Sequence, residues 1–393
     1  MKANLNNNSG GKSSFSSKIS FKIDLQAYVL IIAFLLIVVI FGFFTGGEFL
    51  SSRNVSNLFT QMSVIALLAI GMTLVLILAQ IDLSVGSIVG LTGGIAAILQ
   101  VWHGWDTWAV VLAAVAIGAL IGFWHGWWVA YRAVPAFIVT LAGMLIFRGI
   151  LIGITDGQTI APLKESFMAI GTSYLPYLLG YILAIIGIVL MFYFTYRQRN
   201  KRQSLGLIVP SHIVSYGKIT AYSVLLLLVV YMLNRYFGIP VPFLIVLTIG
   251  IIVAFVTMKT SFGRYLYAIG GNPEAAALSG INIKRNTLWV FVIMGALAGL
   301  AGILLTGRLN AATTSAGTSY EMDAIAACVI GGTSLMGGKG NVIRSIFGAL
   351  IMASIDNGMS MMNLEAFWQY IVKGSILLFA VWMDIYSQKK ATV

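Results

Sequence analysis

Apolar runs of bilayer length recur so often along this chain that a bundle of helices in lipid is the fold they permit. The runs lie at approximately 27–44, 57–79, 85–102, 108–130, 136–154, 175–195, 219–236, 241–258, 287–306, 322–337, 342–361 and 366–385, about twelve in all. Most come near the ~20 residues a helix needs to cross a hydrocarbon core, and two are short. With no water in lipid, each segment must satisfy its own backbone N–H and C=O groups, which leaves helices as the expected element. A soluble alternative fails on composition. Of 393 residues, 59% are hydrophobic and 9% charged, more apolar surface than a water-soluble core can bury. The expected fold class is all-α, a polytopic integral membrane protein.

Basic residues orient it. Eighteen Lys and Arg fall on one side of the alternating loops: Lys2, Lys12, Lys18 and Lys22, then Arg132, then Arg197, Arg199, Lys201, Arg202 and Lys218, then Lys259, Arg264, Lys284 and Arg285, and finally Lys339, Arg344, Lys389 and Lys390. Only four, Arg53, Lys164, Arg235 and Arg308, fall on the other. The positive-inside rule then places both termini in the cytoplasm and favours an even number of spans. Residues 1–26, rich in Asn, Ser and Lys, read as a disordered cytoplasmic tail, and 386–393 as a short second one. The run at 27–44 is longer than a usual signal-peptide core and lacks a convincing cleavage pattern, so it is expected to stay as an anchor. The net charge of +12 is spread over loops beside apolar spans rather than gathered with aromatics on a soluble patch, which argues against nucleic acid as a partner. Cys328 is the one cysteine; it lies in an apolar run and reads as a packing residue.

A polar island, Gly263 to Asn286, stands between two apolar walls on the cytoplasmic side. Its centre, NPEAAALSG, has the form of a short capped helix. Asn272 suits the N-cap, Pro273 the first helical position, Glu274 the positive end of the dipole, and Gly280 the stop. A plain connector needs none of these, so the sharper reading is a docking helix and the plainer one an ordered loop. GGNPEAAALSGI, followed by an apolar run and then by YEMDAIAACVIGGTSLMGGKG (Tyr320 to Gly340), resembles the membrane permease of sugar-importing ABC transporters of the ribose/xylose type. HGWWVAYR (His125 to Arg132) and FIVTLAGMLIFRGILIGIT (Phe137 to Thr155) are most similar to its xylose-type members, and the match runs from about Asn54 to Asp384.

The resemblance implies one transmembrane permease domain over 27–385 and a homodimer around a pore in a bacterial inner membrane. A periplasmic sugar-binding protein would deliver the sugar. A cytoplasmic ATP-binding subunit would dock on the coupling segment 259–286, with Ala277 on the docking surface. A family core of about 10 helices is implied; the region 175–238, with its basic loop, reads as an added helical hairpin that brings the total to about 12. Loops 155–174 and 307–320 are candidates for receiving the binding protein.

Two segments interrupt the membrane pattern in similar ways: AQIDLSVG (79–86), with Asp82 and Ser84, and GGTSLMGGKG (331–340), with Thr333 and Ser334. Glycine-interrupted segments in corresponding halves point to a transport pathway, and ordinary tight cytoplasmic turns are the alternative. Arg148, deep in the fifth run, should face protein or water, either donating to sugar hydroxyls or, in a structural role, snorkelling outward or pairing with backbone carbonyls. Asp356 and Lys373 lie at matched distances from the turn between the last two runs and are expected to pair, Asp356 being the only deep acid recognised outside the break segments; the rival account has Lys373 snorkelling outward and Asp356 facing water in the pathway. Trp124, Trp127 and Trp128, near Tyr131 and Arg132, read as an interfacial belt more readily than as a sugar-stacking platform. Glycines four residues apart (Gly86, Gly90 and Gly94; Gly118 and Gly122; Gly295 and Gly299) read as faces for close helix packing.

The chain lacks a phosphate-binding GxxxxGK[ST] loop. Gly11-Lys12-Ser13 has Asn6 where the first glycine belongs, and Gly338-Lys339 has Thr333 there and Gly340 after. No HExxH, Cys/His cluster or Ser/His/Asp set stands in supporting context, so neither metal nor cofactor is expected and the chain is not read as an enzyme. ATP-driven import of a monosaccharide, D-xylose by the xylose-type motifs, is the function implied. Ribose or another monosaccharide is the alternative substrate, and ion-coupled secondary transport the rival class.

Overall fold

The computed structural model describes residues 25–207 and 209–391. The tail at 1–26 therefore lies almost wholly outside the described residues, as do the side chains of most of 386–393. Helix α1 (Leu25–Phe44) leads through a 3₁₀ turn to α2 (Ser52–Ile77), whose N-cap Ser51 accepts a hydrogen bond from the Asn54 amide. Next come α3 (Val85–Ala97), continued by a π-helical turn to Trp102, then α4 (Thr107–Tyr131), α5 (Ala136–Thr155) and the short α6 (Glu165–Thr172). A long pair follows, α7 (Tyr177–Ser204) and α8 (His212–Asn234), and then α9 (Val241–Lys259). Two short helices, α10 (Ser261–Gly271) and α11 (Pro273–Leu278), lead to α12 (Ile283–Leu309), α13 (Tyr320–Ile330), α14 (Val342–Met361) and α15 (Ala366–Ala391). Among the described residues ten helices are long and apolar enough to cross a membrane, and the apolar part of α1, Leu30–Phe44, is shorter.

Helix α2 is the axis of the bundle. Every residue from Met62 to Leu78 is buried, so this helix is apolar all round, as a helix enclosed by other helices must be. Its end at Ile77 accepts a backbone hydrogen bond from Gly338, and Tyr267 of α10 donates to the Gly340 carbonyl at 2.8 Å. These contacts gather the ends of α2, α10 and the α13–α14 turn at one end of the bundle, called here the α11 end. Lys164, donating to the carbonyls of Gly104 and Trp105, marks the opposite end. Helix α1 runs parallel to α14, with Phe34 against Phe347 and Phe41 beneath Gly358. Both therefore rise from the α11 end.

Small residues set the closest approach. Gly118 and Gly122 of α4 lie against Gly295 and Gly299 of α12, and a Cβ on Gly299 would come 2.7 Å from the Ala114 carbonyl oxygen. Without side chains between them the two backbones meet directly, and dispersion replaces the hydrophobic drive that lipid cannot supply.

The pair α7–α8 forms a peripheral hairpin with few buried residues. Its base is closed by a minimal antiparallel ladder, β1 (Tyr174–Leu175) with β2 (Ile239–Pro240), in which Leu175 faces Ile239. Val230, Leu233 and Ile239 then pack against Val55 and Phe59 of α2.

Two expectations need correcting. The run at 322–337 is not a span: α13 has 11 residues, roughly 16 Å of helix at 1.5 Å per residue, and Gly331 and Gly332 end it. The segment 307–320 is not simply an external loop either. After α12 the chain folds back into the bundle, where Ala312, Ala316 and Gly317 are buried. The cause is local: Ala, Gly, Ser and Thr are small enough to thread between α3 and α5, and Arg148 satisfies the carbonyls this exposes.

Candidate functional site: a broken-helix core and an exposed capped helix

The α11 helix stands out from the bundle. Asn272 Oδ1 accepts from the Ala275 amide at 3.0 Å, Pro273 occupies the first turn with Glu274, and Gly280 adopts φ +78° in the turn that ends it. That positive φ suits glycine, which has no Cβ to clash. Only Ala276 is buried; Asn272, Glu274 and Ala277 face outward, and Leu278 is 90% exposed. Leu278 thus leaves an apolar side chain in the open at the tip of a capped helix. Sequence reading picked out the caps and missed Leu278, whose signal is an apolar residue at the end of a six-residue polar-flanked helix.

Inside the bundle, two helices begin at one place. The chain leaves α2 and returns as an extended segment, where Asp82 Oδ1 accepts from the Ser84 amide (2.9 Å) and hydroxyl (2.6 Å). Both residues are buried, and Thr140 of α5 donates to the Ile81 carbonyl at 3.3 Å. Helix α3 then starts at Val85. From the other direction the folded-back segment delivers Gly317, at φ +72°, and α13 starts at Tyr320. A Cβ on Gly86 would strike the Gly317 carbonyl and the Glu321 carboxylate; a Cβ on Gly317 would strike the Gly86 carbonyl. The packing is reciprocal as well: Thr92 of α3 sits against Gly302 of α12, and Cys328 of α13 donates to Ala69 of α2 at 3.2 Å. Two helix N-termini, each carrying partial positive charge, thus meet in the interior; Glu321 and Asp323 lie in the first turn of α13, and Asp82 lies in the extended segment just before α3.

Two cations hold the second half of this core. Arg148 donates through Nη1 to the carbonyls of Thr314 (2.6 Å) and Ala316 (2.8 Å), the carbonyl-pairing alternative of its two readings. Lys373 lies 2.8 Å from Asp356 and also 2.9 Å from Asp323. The Asp356–Lys373 juxtaposition is thus one arm of a three-member cluster. Asp323 is fully buried, and with Glu321 at 8% exposure it corrects the expectation that Asp356 is the only deep acid outside the breaks. The overlooked signal was an acid inside an apolar run.

The segment 331–340 stays at the α11 end. Thr333 and Ser334 are buried there, Thr333 Oγ1 lies 3.2 Å from Ser345 Oγ, and Gly338 reaches Ile77. The 79–86 break thus meets 331–340 at its start, where Gly337 lies against Ala79, and 310–319 at its end, where Gly317 lies against Gly86. Trp127 stacks under Arg132 at 4.5 Å, while His125 is fully buried against Trp124, Phe147 and Phe291. At the opposite end a cavity of about 300 Å³ is lined by Asn57, Thr60, Gln61, Tyr174 and Arg308. Such a mix of amides, a hydroxyl, a guanidinium and an aromatic ring suits a polyhydroxylated ligand. Among the described residues no cluster of three or more His, Cys, Asp or Glu is arranged to hold a metal ion.

Known proteins resemble this chain in sequence. The chain is similar to the xylose transport system permease protein of Escherichia coli (strain K12), 49% identical over 98% of this chain and 96% of that protein. It is 50% identical to the xylose transport system permease protein of Haemophilus influenzae, over 94% of this chain and 98% of the relative. The ribose import permease protein of Haemophilus influenzae is more distant, 35% identical over 93% and 94%. No solved structure matches. Residues 54–381, which include both broken helices, the cation clusters and α11, match the family described as branched-chain amino acid transport system / permease component, and the chain belongs to that family.

Proposed function

We propose that this chain is the membrane permease of an ATP-driven importer of D-xylose in a bacterial inner membrane. The observation that carries the reading is the level of identity to two xylose permeases, 49% over 98% of the chain and 50% over 94%, against 35% over 93% for a ribose permease. The lower identity to a ribose permease ranks ribose second as substrate. The α11 end faces the cytoplasm, consistent with its basic loops, and both termini lie there. A cytoplasmic ATP-binding subunit docks on α11 through Ala277 and Leu278, with Glu274 and the Asn272–Gly280 caps holding the helix in place. A periplasmic sugar-binding protein delivers the sugar at the opposite end, and two copies of the permease assemble.

Within each copy the meeting point of α3 and α13 is the element that moves. Broken helices satisfy their own backbone only while protein or water surrounds them, so they line transport pathways rather than lipid. Asp82 and Ser84 belong to this gate. Arg148 positions it from α5, and the Asp356–Lys373 pair positions it from α14 and α15. Thr333 and Ser334 sit at its cytoplasmic exit. Proteoliposomes holding the permease, the ATP-binding subunit and the binding protein test the assignment. ATP-dependent uptake of labelled xylose, well above uptake of ribose, is expected. Equal uptake of both sugars would remove the substrate assignment, and uptake by the permease alone, without ATP, would remove the coupling.

A further inference from the structure

Beside the coupling helix lies a groove of about 550 Å³ that continues from the loop after α11 down the flank of the bundle. Its rim is polar: Asn282, Arg285 and Asn286, at the start of α12. Its floor is apolar: Val256 near the end of α9, then Trp289 and Ile293 along α12. Ile293 is ten residues beyond Ile283, roughly 15 Å along the helix axis, so the floor runs well into the hydrocarbon layer if α12 spans it. A water-soluble subunit cannot follow a groove to that depth. An occupant must be charged or polar at one end and hydrocarbon at the other.

The charge at the rim is decided. Arg285, the one cation lining the groove, is exposed and, among the described residues, has no side-chain hydrogen bond or ion pair. A guanidinium without a carboxylate partner favours an anion and grips phosphate oxygens in a fixed fork. Trp289, 49% exposed one and a half turns into α12, stands where an interfacial aromatic anchor is expected. We propose that this groove seats one anionic phospholipid, its phosphate on Arg285 and an acyl chain along Val256, Trp289 and Ile293. The site has a mechanical consequence. Gly280, Ile281 and Asn282, the link between α11 and α12, form its wall, so a bound lipid stiffens the lever through which α11 would move the core.

Lipid binding is measured on the purified permease alone, so it stands or falls separately from the assignment of the transported sugar. Protein in detergent is supplemented with phosphatidylglycerol, phosphatidylcholine or inorganic phosphate, and bound lipid is read by native mass spectrometry. Preferential retention of phosphatidylglycerol over phosphatidylcholine is expected. Arg285→Gln should weaken that retention about fivefold, the share one basic residue contributes at an anionic surface, and Ile293→Trp should weaken it by obstructing the acyl path. Lys218→Gln, on the remote hairpin, should change nothing and controls for general loss of charge. Equal retention of both lipids, or no effect of Arg285→Gln in protein whose melting temperature is unchanged, overturns the proposal. Displacement of phosphatidylglycerol by millimolar phosphate would reassign the rim to a soluble anion. Crosslinking of Trp289→Cys between copies would reassign the groove to a subunit contact.

Discussion

Lys373 carries one positive charge between two carboxylates, and removing it should be the most damaging single neutralisation in the molecule. Asp323 and Asp356 would then confront each other in a low-dielectric interior with Oδ1 of each already without a hydrogen-bond partner. Breaking a buried ionic group by deleting one member costs about 3–5 kcal/mol, because the remaining charge is uncompensated. Lys373→Met should therefore lower the melting temperature and the folded yield of detergent-purified protein, and Lys373→Met with Asp323→Asn should recover part of the loss. If the double variant is as impaired as the sum of the two singles, the residues are not coupled. The pair with Asp356 was legible because both residues stand at equal distance from one short turn. Asp323 was not, since it lies 50 residues away on a helix that its hydropathy disguised as an ordinary span. Arg148 makes a parallel case. Both of its carbonyl bonds leave one nitrogen, Nη1, so Arg148→Met, which removes that donor and strands two carbonyls, should reduce transport with membrane abundance unchanged.

At the scale of elements, α11 and the α3–α13 junction make separable demands. If α11 docks the ATP-binding subunit as proposed, it does so through its exposed face, so Leu278→Asp should abolish stimulation of the ATPase by sugar-loaded binding protein and leave folding intact, because the side chain it replaces touches almost nothing. Wild-type stimulation in that variant would remove Leu278 from the interface. The junction rests on the absence of side chains. Gly317 sits at φ +72° with its α-carbon against the Gly86 carbonyl, so Gly317→Ala meets both a backbone penalty and a clash. It should lower the melting temperature, whereas Gly153→Ala, with open space around it, should not. The helix caps at Asn272 and Gly280 were readable because capping chemistry is local. The junction was half readable: AQIDLSVG announces itself by an acid amid apolar residues. Its partner, AATTSAGT, looks like any solvent loop until the chain is folded against α3.

Across the whole molecule, the shortness of α13 leaves the sidedness of the chain unaltered. The folded-back segment 310–319 and α13 together carry the chain from the opposite end to the α11 end, as one full span would. Helices before and after it therefore keep the alternation read from the basic loops, even though one of the apolar runs is no span. Hydropathy alone misassigned one element, while the chain still alternates between the two ends of the bundle. The alternation makes a sharp prediction for single-cysteine variants, and Cys328 need not be removed first, since it is fully buried. Ser204→Cys, in the α7–α8 turn, and Ala277→Cys, on α11, lie at one end; Asp106→Cys, before α4, and Glu365→Cys, before α15, lie at the other. On intact spheroplasts a membrane-impermeant maleimide should label the 106 and 365 variants and spare the other two, which should react only after permeabilisation. Labelling of all four from outside would mean a leaky preparation and is controlled by a cytoplasmic marker protein. Labelling of 204 with 106 but not 277 would place the hairpin outside the alternation, and with it the cytoplasmic assignment of the basic loop it carries.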